Sequence, residues 1–266
     1  MSKADAGEIC PGVNLCHECG LAGDRSLLRK VGSVQRLLHM LRLAITSLLF
    51  FSLIAGAQEA APSALKEYQG RVIAQTMHWQ GAPWLIRHKR DREEAALKMR
   101  EELKLKPGMA VCDMGSGNGY HTLPMAEAVG PTGKVYAVDV QPEMIVLLNE
   151  RAAEKGITSI QTIIGEYHDP KLPPNSCDLI LLVDVYHEFS HPEPMLTGMK
   201  KALKPGGVIC LVEFRAEDDT VPIKPEHKMT KAQIHKEMTA NGLKLVREFD
   251  GLPWQHMMFF GLADQP

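Results

Sequence analysis

A doubly wound α/β domain with a mostly parallel sheet is the architecture this sequence predicts, and three observations predict it. Between residues 109 and 260 seven strand-like segments alternate with helix-like ones, and the last two strands follow each other directly as an antiparallel hairpin. The run Cys177–Val183, CDLILLV, is continuously apolar, as a parallel strand buried on both faces must be. A glycine-rich turn, Asp113-x-Gly115-x-Gly117-x-Gly119, lies between the first of those strands and the helix after it.

Taken in order, a charged helix over 91–104 stops at Lys106-Pro107-Gly108. A strand at 109–113, a helix at 119–129 and the turn Gly130-Pro131-Thr132-Gly133 follow. Next come a strand at Lys134–Asp139, a helix at 142–155 and a strand at 159–164. After Cys177–Val183, a helix over 192–203 ends in Lys204-Pro205-Gly206-Gly207, the turn before a strand at 208–214. Thr230 caps a helix that runs to Asn241 and stops at Gly242. Strands at Leu243–Phe249 and 256–260 close the chain across a turn at 250–254.

The composition narrows the function. Thirty Lys and Arg against 32 Asp and Glu leave a formal charge of −2, which excludes a strongly basic nucleic-acid binder. Aromatic residues make up 6% of the chain, too few for a platform that stacks single-stranded bases. Six cysteines are too few and too scattered for a disulfide scaffold. Cys112, Cys177 and Cys210 sit in apolar runs and read as buried thiols.

Residues 1–57 stand apart. Over residues 20–42, Arg25, Arg29, Lys30, Arg36 and Arg42 face one acid, Asp24, and from Leu43 to Gln58 no charge appears. The run ends in Ala55-Gly56-Ala57, so basic flank, short apolar stretch and small-x-small end predict a secretory signal peptide. Left uncleaved, 43–57 is a membrane anchor, although it is shorter than the ~20 residues of a comfortable span. Either outcome exports the domain, and a cytoplasmic location requires that the segment not act as a signal. Met40 is an alternative start. Cys10, Cys16, His17 and Cys19 lack the second half of a paired zinc pattern and read as incidental. The predicted organisation is therefore 1–57 as extension and signal, 58–90 as a lid or linker, and 91–266 as the ligand-binding domain.

The chemistry sits at the glycine turn. Its G-x-G-x-G spacing is not the G-x-G-x-x-G of dinucleotide binders. Asp113, two residues before the first glycine, repels phosphate and suits a ligand with a cationic amino group. Asp139, at the end of the second strand, can accept both hydroxyls of a ribose. A nucleoside carrying an ammonium group in place of a pyrophosphate describes S-adenosylmethionine (SAM).

From about residue 66 to 261 the sequence resembles the class I SAM-dependent methyltransferases, in particular the type 11 small-molecule branch. Asp113, Gly115, Gly117 and Gly119 match that family's first motif, and Asp139 its ribose-binding acid. The resemblance implies a Rossmann-like, seven-stranded, doubly wound sheet with SAM as cofactor. It implies adenine packing around Val140 and Met144. Glu166, in Gly165-Glu166-Tyr167, falls where the family's acid faces the adenine amine, with Glu for the usual Asp and Tyr for a small residue. Asp184, in the run to Glu188, falls beside the transferred methyl, and 203–207 resembles the turn before the fifth strand.

Loops after the strands share one face, so the acceptor is expected among segments 184–191, 215–229, 251–256 and 68–92. These contribute Tyr186, His187, Glu188, His191, Arg215, Glu217, His227, Trp254, His256, Trp79 and Trp84. His187 is the first candidate for a general base, with Tyr186 beside it as an orienting group. No spacing enforces metal ligands around Asp184, so no metal is expected. The reading is methyl transfer to a small-molecule or lipid-like acceptor. The alternatives are a non-catalytic SAM-binding or interaction domain, and an NAD-dependent oxidoreductase, against which the glycine spacing and Asp113 both argue. No nucleic-acid partner is expected, because the segment reads Asp184-Val-Tyr-His and not N-P-P-Y or D-P-P-Y.

Overall fold

The computed structural model describes residues 61–264. The proposed signal or anchor at 43–57, the Cys10–Cys19 group and the Met40 start lie outside the described residues. Glu67–Tyr68 (β1) and Arg71–Val72 (β2) form a small antiparallel hairpin across Gln69-Gly70. Ala82–Leu85 (α1), Arg90–Glu94 (α2) and Ala96–Glu102 (α3) follow. The single helix expected over 91–104 is thus two, broken where Ala95 takes a left-handed φ of 49°. The break has a use: α2 turns the buried Arg90 and Glu94 inward, while α3 buries Ala96 and Met99 against the core.

The main sheet contains Ala110–Met114 (β3), Lys134–Asp139 (β4), Ile160–Ile164 (β5), Cys177–Val183 (β6), Leu203–Arg215 (β7), Leu243–Phe249 (β9) and Gln255–Leu262 (β10). Their order is β5-β4-β3-β6-β7-β10-β9, and the two-residue β8, Lys228–Met229, adds beside the end of β7. Pairings are parallel except those of β10, which runs against both β7 and β9. This is the seven-stranded, mostly parallel sheet with a terminal hairpin that the sequence predicts, plus one short strand. Helices Thr122–Val129 (α4), Pro142–Glu154 (α5), Pro192–Ala202 (α6) and Lys231–Ala240 (α7) complete it.

Alternation along the strands explains why both faces are covered. Ile180 and Leu182 of β6 join a core with Leu196, Met199, Ile234 and Phe260. Leu179 and Leu181 point to the opposite core, with Met99, Met125, Val135 and Met257. Each fully buried side chain of this kind contributes about 1.5–3 kcal/mol. Cys112, Cys177 and Cys210 are buried free thiols within these layers. Thr230 Oγ1 accepts from the Gln233 amide at 3.0 Å and caps α7 as expected.

One boundary differs from expectation. Lys204-Pro205-Gly206-Gly207 does not precede the strand but interrupts it: Leu203 pairs with Cys177 and Val208 with Leu179. The four residues loop out between these pairings, with Gly206 at φ +77°. Among the described residues no helix is long and apolar enough to cross a membrane.

Candidate active site

Strand order reverses between β3 and β6, and a crevice opens at such a switch point beyond the strand C-termini. Register brings the strand ends level, since Met114 lies opposite Val138 on one side and Leu182 on the other. A cavity of about 580 Å³ occupies this place.

One end is built largely from backbone. Gly115 has φ +72°, and a Cβ there would lie 2.4 Å from Val185 Cγ2. At Gly117, φ +51°, a Cβ would lie 2.7 Å from Leu85 Cδ1. Both positions line the cavity; both demand glycine on conformation, and Gly115 on space as well, against the branched Val185. The Gly117 amide donates to Asp139 Oδ2 and the Gln141 amide to Asp139 Oδ1, each at 2.9 Å. Burial raises the Asp139 pKa, and these amides hold it back. Met114, Val138, Val140 and Met144 supply an apolar wall, with Glu166 and Tyr167 at its rim. Glu166 is half exposed and tied to Lys171 at 3.1 Å and His168 at 3.3 Å.

Asp113 and Gly119 do not line the cavity. Asp113 is buried behind the loop, accepts from Thr122 Oγ1, and is pushed up to about 6 by burial. At Gly119 a Cβ would meet Leu148 Cγ at 3.0 Å, so this glycine lets the chain pack closely against α5.

Asp184 lines the cavity and has a positive φ of 54°, a strain typical of functional positions. Its Oδ2 accepts from Gln255 Nε2 at 2.8 Å, while Oδ1 is buried with no partner among the described residues. Burial, then the neighbouring carboxylates of Glu94 and Glu213, drive its pKa well above the usual range. Glu94, held by Arg87 and Arg90 at 2.8 Å each, lines the same region.

The other end is built from side chains. The turn Tyr186–Glu188 carries His187 and Glu188 into the cavity wall. Glu213 of β7 is fully buried; its Oε1 accepts from the Tyr186 amide at 2.9 Å and its Oε2 lies 2.5 Å from His187 Nδ1. His187 Nε2 faces His227 Nδ1 at 3.0 Å. Burial alone would lower the His187 pKa, but the Glu213 carboxylate outweighs it and the net direction is upward. His227 is lowered by burial and by His187. Glu188 is pushed up to about 7 by burial, with one oxygen accepting from the Met77 amide at 3.3 Å.

Behind this wall Tyr186 is buried and does not line the cavity; its hydroxyl donates to Glu237 Oε2 at 2.8 Å. Glu237 also accepts from Arg71 Nε at 2.7 Å and Gln233 Nε2 at 2.7 Å. Arg71 Nη1 and the Ala74 amide both donate to the His187 carbonyl, so the N-terminal hairpin holds the His187 turn.

Of the four segments expected around the acceptor, three contribute residues to the cavity lining: 68–92, 184–191 and 215–229. The fourth contributes no lining residue; Trp254 and His256 lie outside, as do Trp79, His191, Arg215 and Glu217. Glu94, Arg71 and Glu237 were not legible as site residues. Glu213 did carry a signal, a lone charge within the apolar run VICLVEF.

Residues 105–258, more than half of the chain, match the model of a family described as a methyltransferase domain. The chain belongs to this methyltransferase family. Relatives include the ubiquinone/menaquinone biosynthesis C-methyltransferase UbiE of Ectopseudomonas mendocina, 31% identical over 111 residues, which are 41% of this chain and 43% of that protein. The enzyme of the same description from Burkholderia cenocepacia is 29% identical over 133 residues, 50% of this chain and 54% of that protein. The chain thus matches these curated relatives over about half of their length. Among solved structures, a SAM-dependent methyltransferase from Aquifex aeolicus superposes with a TM-score of 0.66 at 25% identity, covering 70% of this chain and 98% of that one.

The family is one of methyltransferases, and the cavity fits SAM as methyl donor on its own terms. Asp139 supplies a carboxylate able to accept hydroxyls of a ribose, beside an apolar wall on which a purine could pack. The glycine cradle leaves no room for a Cβ at Gly115, and the unpaired Asp184 oxygen suits an ammonium group.

Proposed function

We propose that this methyltransferase moves the SAM methyl to a small, partly apolar acceptor bearing an ionisable O–H, of phenol or enol type. One observation carries the reading: a single cavity runs from Gly115, Gly117 and Asp139 past Asp184 to His187, Glu188 and His227. Met77, Phe189, Met195 and Phe214 give its acceptor end an apolar character. The names of the C-methyltransferase relatives support an acceptor of this type.

In this reading Asp139 binds the ribose, Val140 and Met144 pack the adenine, and Glu166 meets the adenine amine at the rim. Gly115 and Gly117 give the methionyl part close access to backbone, and Asp184 receives its ammonium. Asp113 and Gly119 shape the loop from behind. The acceptor O–H lies against His187, Glu188 and His227, where its proton is given up, and Tyr186 braces that wall. SAM supplies an activated methyl on a sulfonium sulfur. The acceptor's electron pair forms the new bond to the methyl carbon, and the C–S pair leaves on sulfur as S-adenosylhomocysteine. For a ring-carbon acceptor, the ring proton is lost afterwards. The protein's contribution is alignment and exclusion of water. Within segment 58–90, Gln75, Thr76, Met77, Trp84, Leu85, Arg87 and Arg90 line the cavity and form the wall over both ligands. The apolar segment 43–57 acts as export signal or anchor, supported by its basic flank and Ala55-Gly56-Ala57 end; cell fractionation with and without it tests this.

The direct test is thermal unfolding of the full chain with SAM, S-adenosylhomocysteine or NAD, then transfer of labelled methyl to phenolic and amine acceptors. Ligand at 100 times its Kd stabilises by about 2.7 kcal/mol. Stabilisation by the SAM pair and labelling of phenols are expected. Labelling of amines alone would sink the acceptor assignment.

A further inference from the structure

We propose that His187 Nε2, His227 Nδ1 and a Glu188 carboxylate oxygen bind one divalent transition-metal ion of the zinc type at the acceptor end of the cavity. The binding site stands on geometry alone; what the ion does rests on the functional reading above. It replaces the sequence-based expectation of no metal, which considered only ligands close to Asp184 and missed that the third, His227, arrives from a turn 40 residues on.

Three observations converge. The three ligand atoms lie within 4.8 Å of one another. Tetrahedral ligands at about 2.0–2.1 Å from one zinc ion lie about 3.4 Å apart, so the most distant pair must close by at most about 1.4 Å, which side-chain rotation can supply. The two imidazole nitrogens already face each other at 3.0 Å, within about 0.4 Å of that tetrahedral separation.

The second observation is the arrangement behind the ligand. Glu213 sits at His187 Nδ1, on the side of the ring away from His227. A carboxylate accepting from Nδ1–H leaves the Nε2 lone pair free, and this carboxylate–imidazole pairing is what orients histidine ligands in metal sites. Glu213 is fully buried and takes the Tyr186 amide with its other oxygen, so the ring has no second orientation that satisfies it.

The third is charge and exposure. Glu188 and Glu213 bring two carboxylates toward this point, while the cations that line the same cavity are Arg87 and Arg90, which are held by Glu94, and Lys224, next to the turn that carries His227. Arg71 reaches the His187 carbonyl and not its ring. Two imidazoles and one carboxylate suit zinc and its transition-metal neighbours, and are poor ligands for magnesium or calcium. All three protein ligands line the cavity, so the remaining coordination positions open onto it, as in catalytic sites. An acceptor hydroxyl oxygen coordinated there loses its proton to solvent, and its electron density is then available for the methyl carbon.

The test uses the full chain, stripped with a chelator and titrated with Zn²⁺ by calorimetry and with Co²⁺ by visible absorption. The expected result is one equivalent of Co²⁺ whose spectrum has ligand-field bands without a thiolate charge-transfer band, which separates this site from Cys10, Cys16 and Cys19. His227→Ala should weaken that binding at least tenfold, and Glu213→Gln, which touches no metal, should weaken it about 10–100-fold. Both variants should keep the thermal shift with SAM, which shows that they fold. A wild-type chain that binds Co²⁺ only through thiolates, or His227→Ala and Glu188→Gln variants that bind as wild type, would overturn the site and leave a histidine–histidine hydrogen bond in its place. Methyl transfer undiminished after stripping would overturn the ion's part in the reaction. Failure of every phenolic acceptor beside intact binding would remove the functional reading alone.

Discussion

The two ends of the cavity are made of different material. At the glycine-turn end the protein offers backbone amides, glycines and the Asp139 carboxylate beside an apolar wall, drawn mostly from a short stretch of chain; the Gly117–Asp139 contact spans 22 residues. At the acceptor end it offers side chains from β2, β7, α7 and two turns, with the Arg71–Glu237 contact spanning 166 residues. A site made of backbone is specified by steric rules, because only glycine tolerates the required φ and proximity. A site made of buried side chains is specified by mutual satisfaction of charge, and removing any member strands the others. The first kind should fail locally when mutated, and the second should fail as a unit.

Glu237→Ala is the most severe test of that difference. It strands the Tyr186 hydroxyl in the interior and removes the carboxylate from the mostly buried Arg71 guanidinium, while Gln233 keeps the Gln69 carbonyl. Breaking a buried pair from one side costs about 3–5 kcal/mol, so urea unfolding should show a loss of that size. SAM affinity in the fraction still folded should be unchanged. If it falls with stability, the two ends are not independent and the comparison is broken.

Asp113→Asn probes the nucleoside end through pH. Burial pushes the Asp113 pKa in the fold up to about 6, against about 3.9 for an unperturbed Asp. The unfolded chain therefore ionises first, and the fold loses stability as pH rises from about 4 to about 6. At about 1.4 kcal/mol for each pKa unit, the loss is about 3 kcal/mol. Asn can still accept from Thr122 but cannot ionise, so the variant should lack this fall. Equal slopes for variant and wild type in unfolding at pH 4 to 7, without SAM, would show that Asp113 does not carry the effect.

The same division explains what the sequence made legible. The bounds of β4, β6 and β9 follow from apolar runs and flanking breakers, all local signals. The glycine turn and Asp139 were legible because backbone geometry constrains residue type at close spacing. The break at Ala95 was not, because Ala is a strong helix former and the reason for the break lies in where Arg90 and Glu94 must point. Nor was the hairpin at Glu67–Val72, whose strands are two residues long and held by contacts such as Gln233 and Lys236 with the Gln69 carbonyl. His187 could be named, but its partners Glu213 and His227 are 26 and 40 residues away, and no local pattern joins them.

Asp139→Ala should act on the donor end alone. It removes the acceptor of two backbone amides and, with SAM bound, the group expected on the ribose. Hydrogen bonds to a charged group contribute about 1.5–3 kcal/mol each, so an increase of about 100-fold in the SAM Kd is expected by calorimetry. Zinc affinity should not move. An unchanged Kd for SAM would remove Asp139 from the cofactor site.

Tyr186→Phe is the gentlest change and sharpens the comparison most, because Tyr186 adjoins His187 in sequence and faces away from the cavity. Its hydroxyl meets Glu237, which keeps Arg71 and Gln233 when the hydroxyl is gone. Only one of several donors is lost, so the cost should be about 1 kcal/mol, near the ordinary net value of a buried hydrogen bond. The ring itself stays packed against Phe189 at 5.4 Å between centroids, so the turn that carries His187 keeps its shape. Turnover should then stay within about twofold of wild type, in line with a brace whose polar contact is one among many. A fall in kcat of tenfold or more with stability intact would instead put the hydroxyl at the acceptor, and the boundary between wall and brace would have to be redrawn through Tyr186.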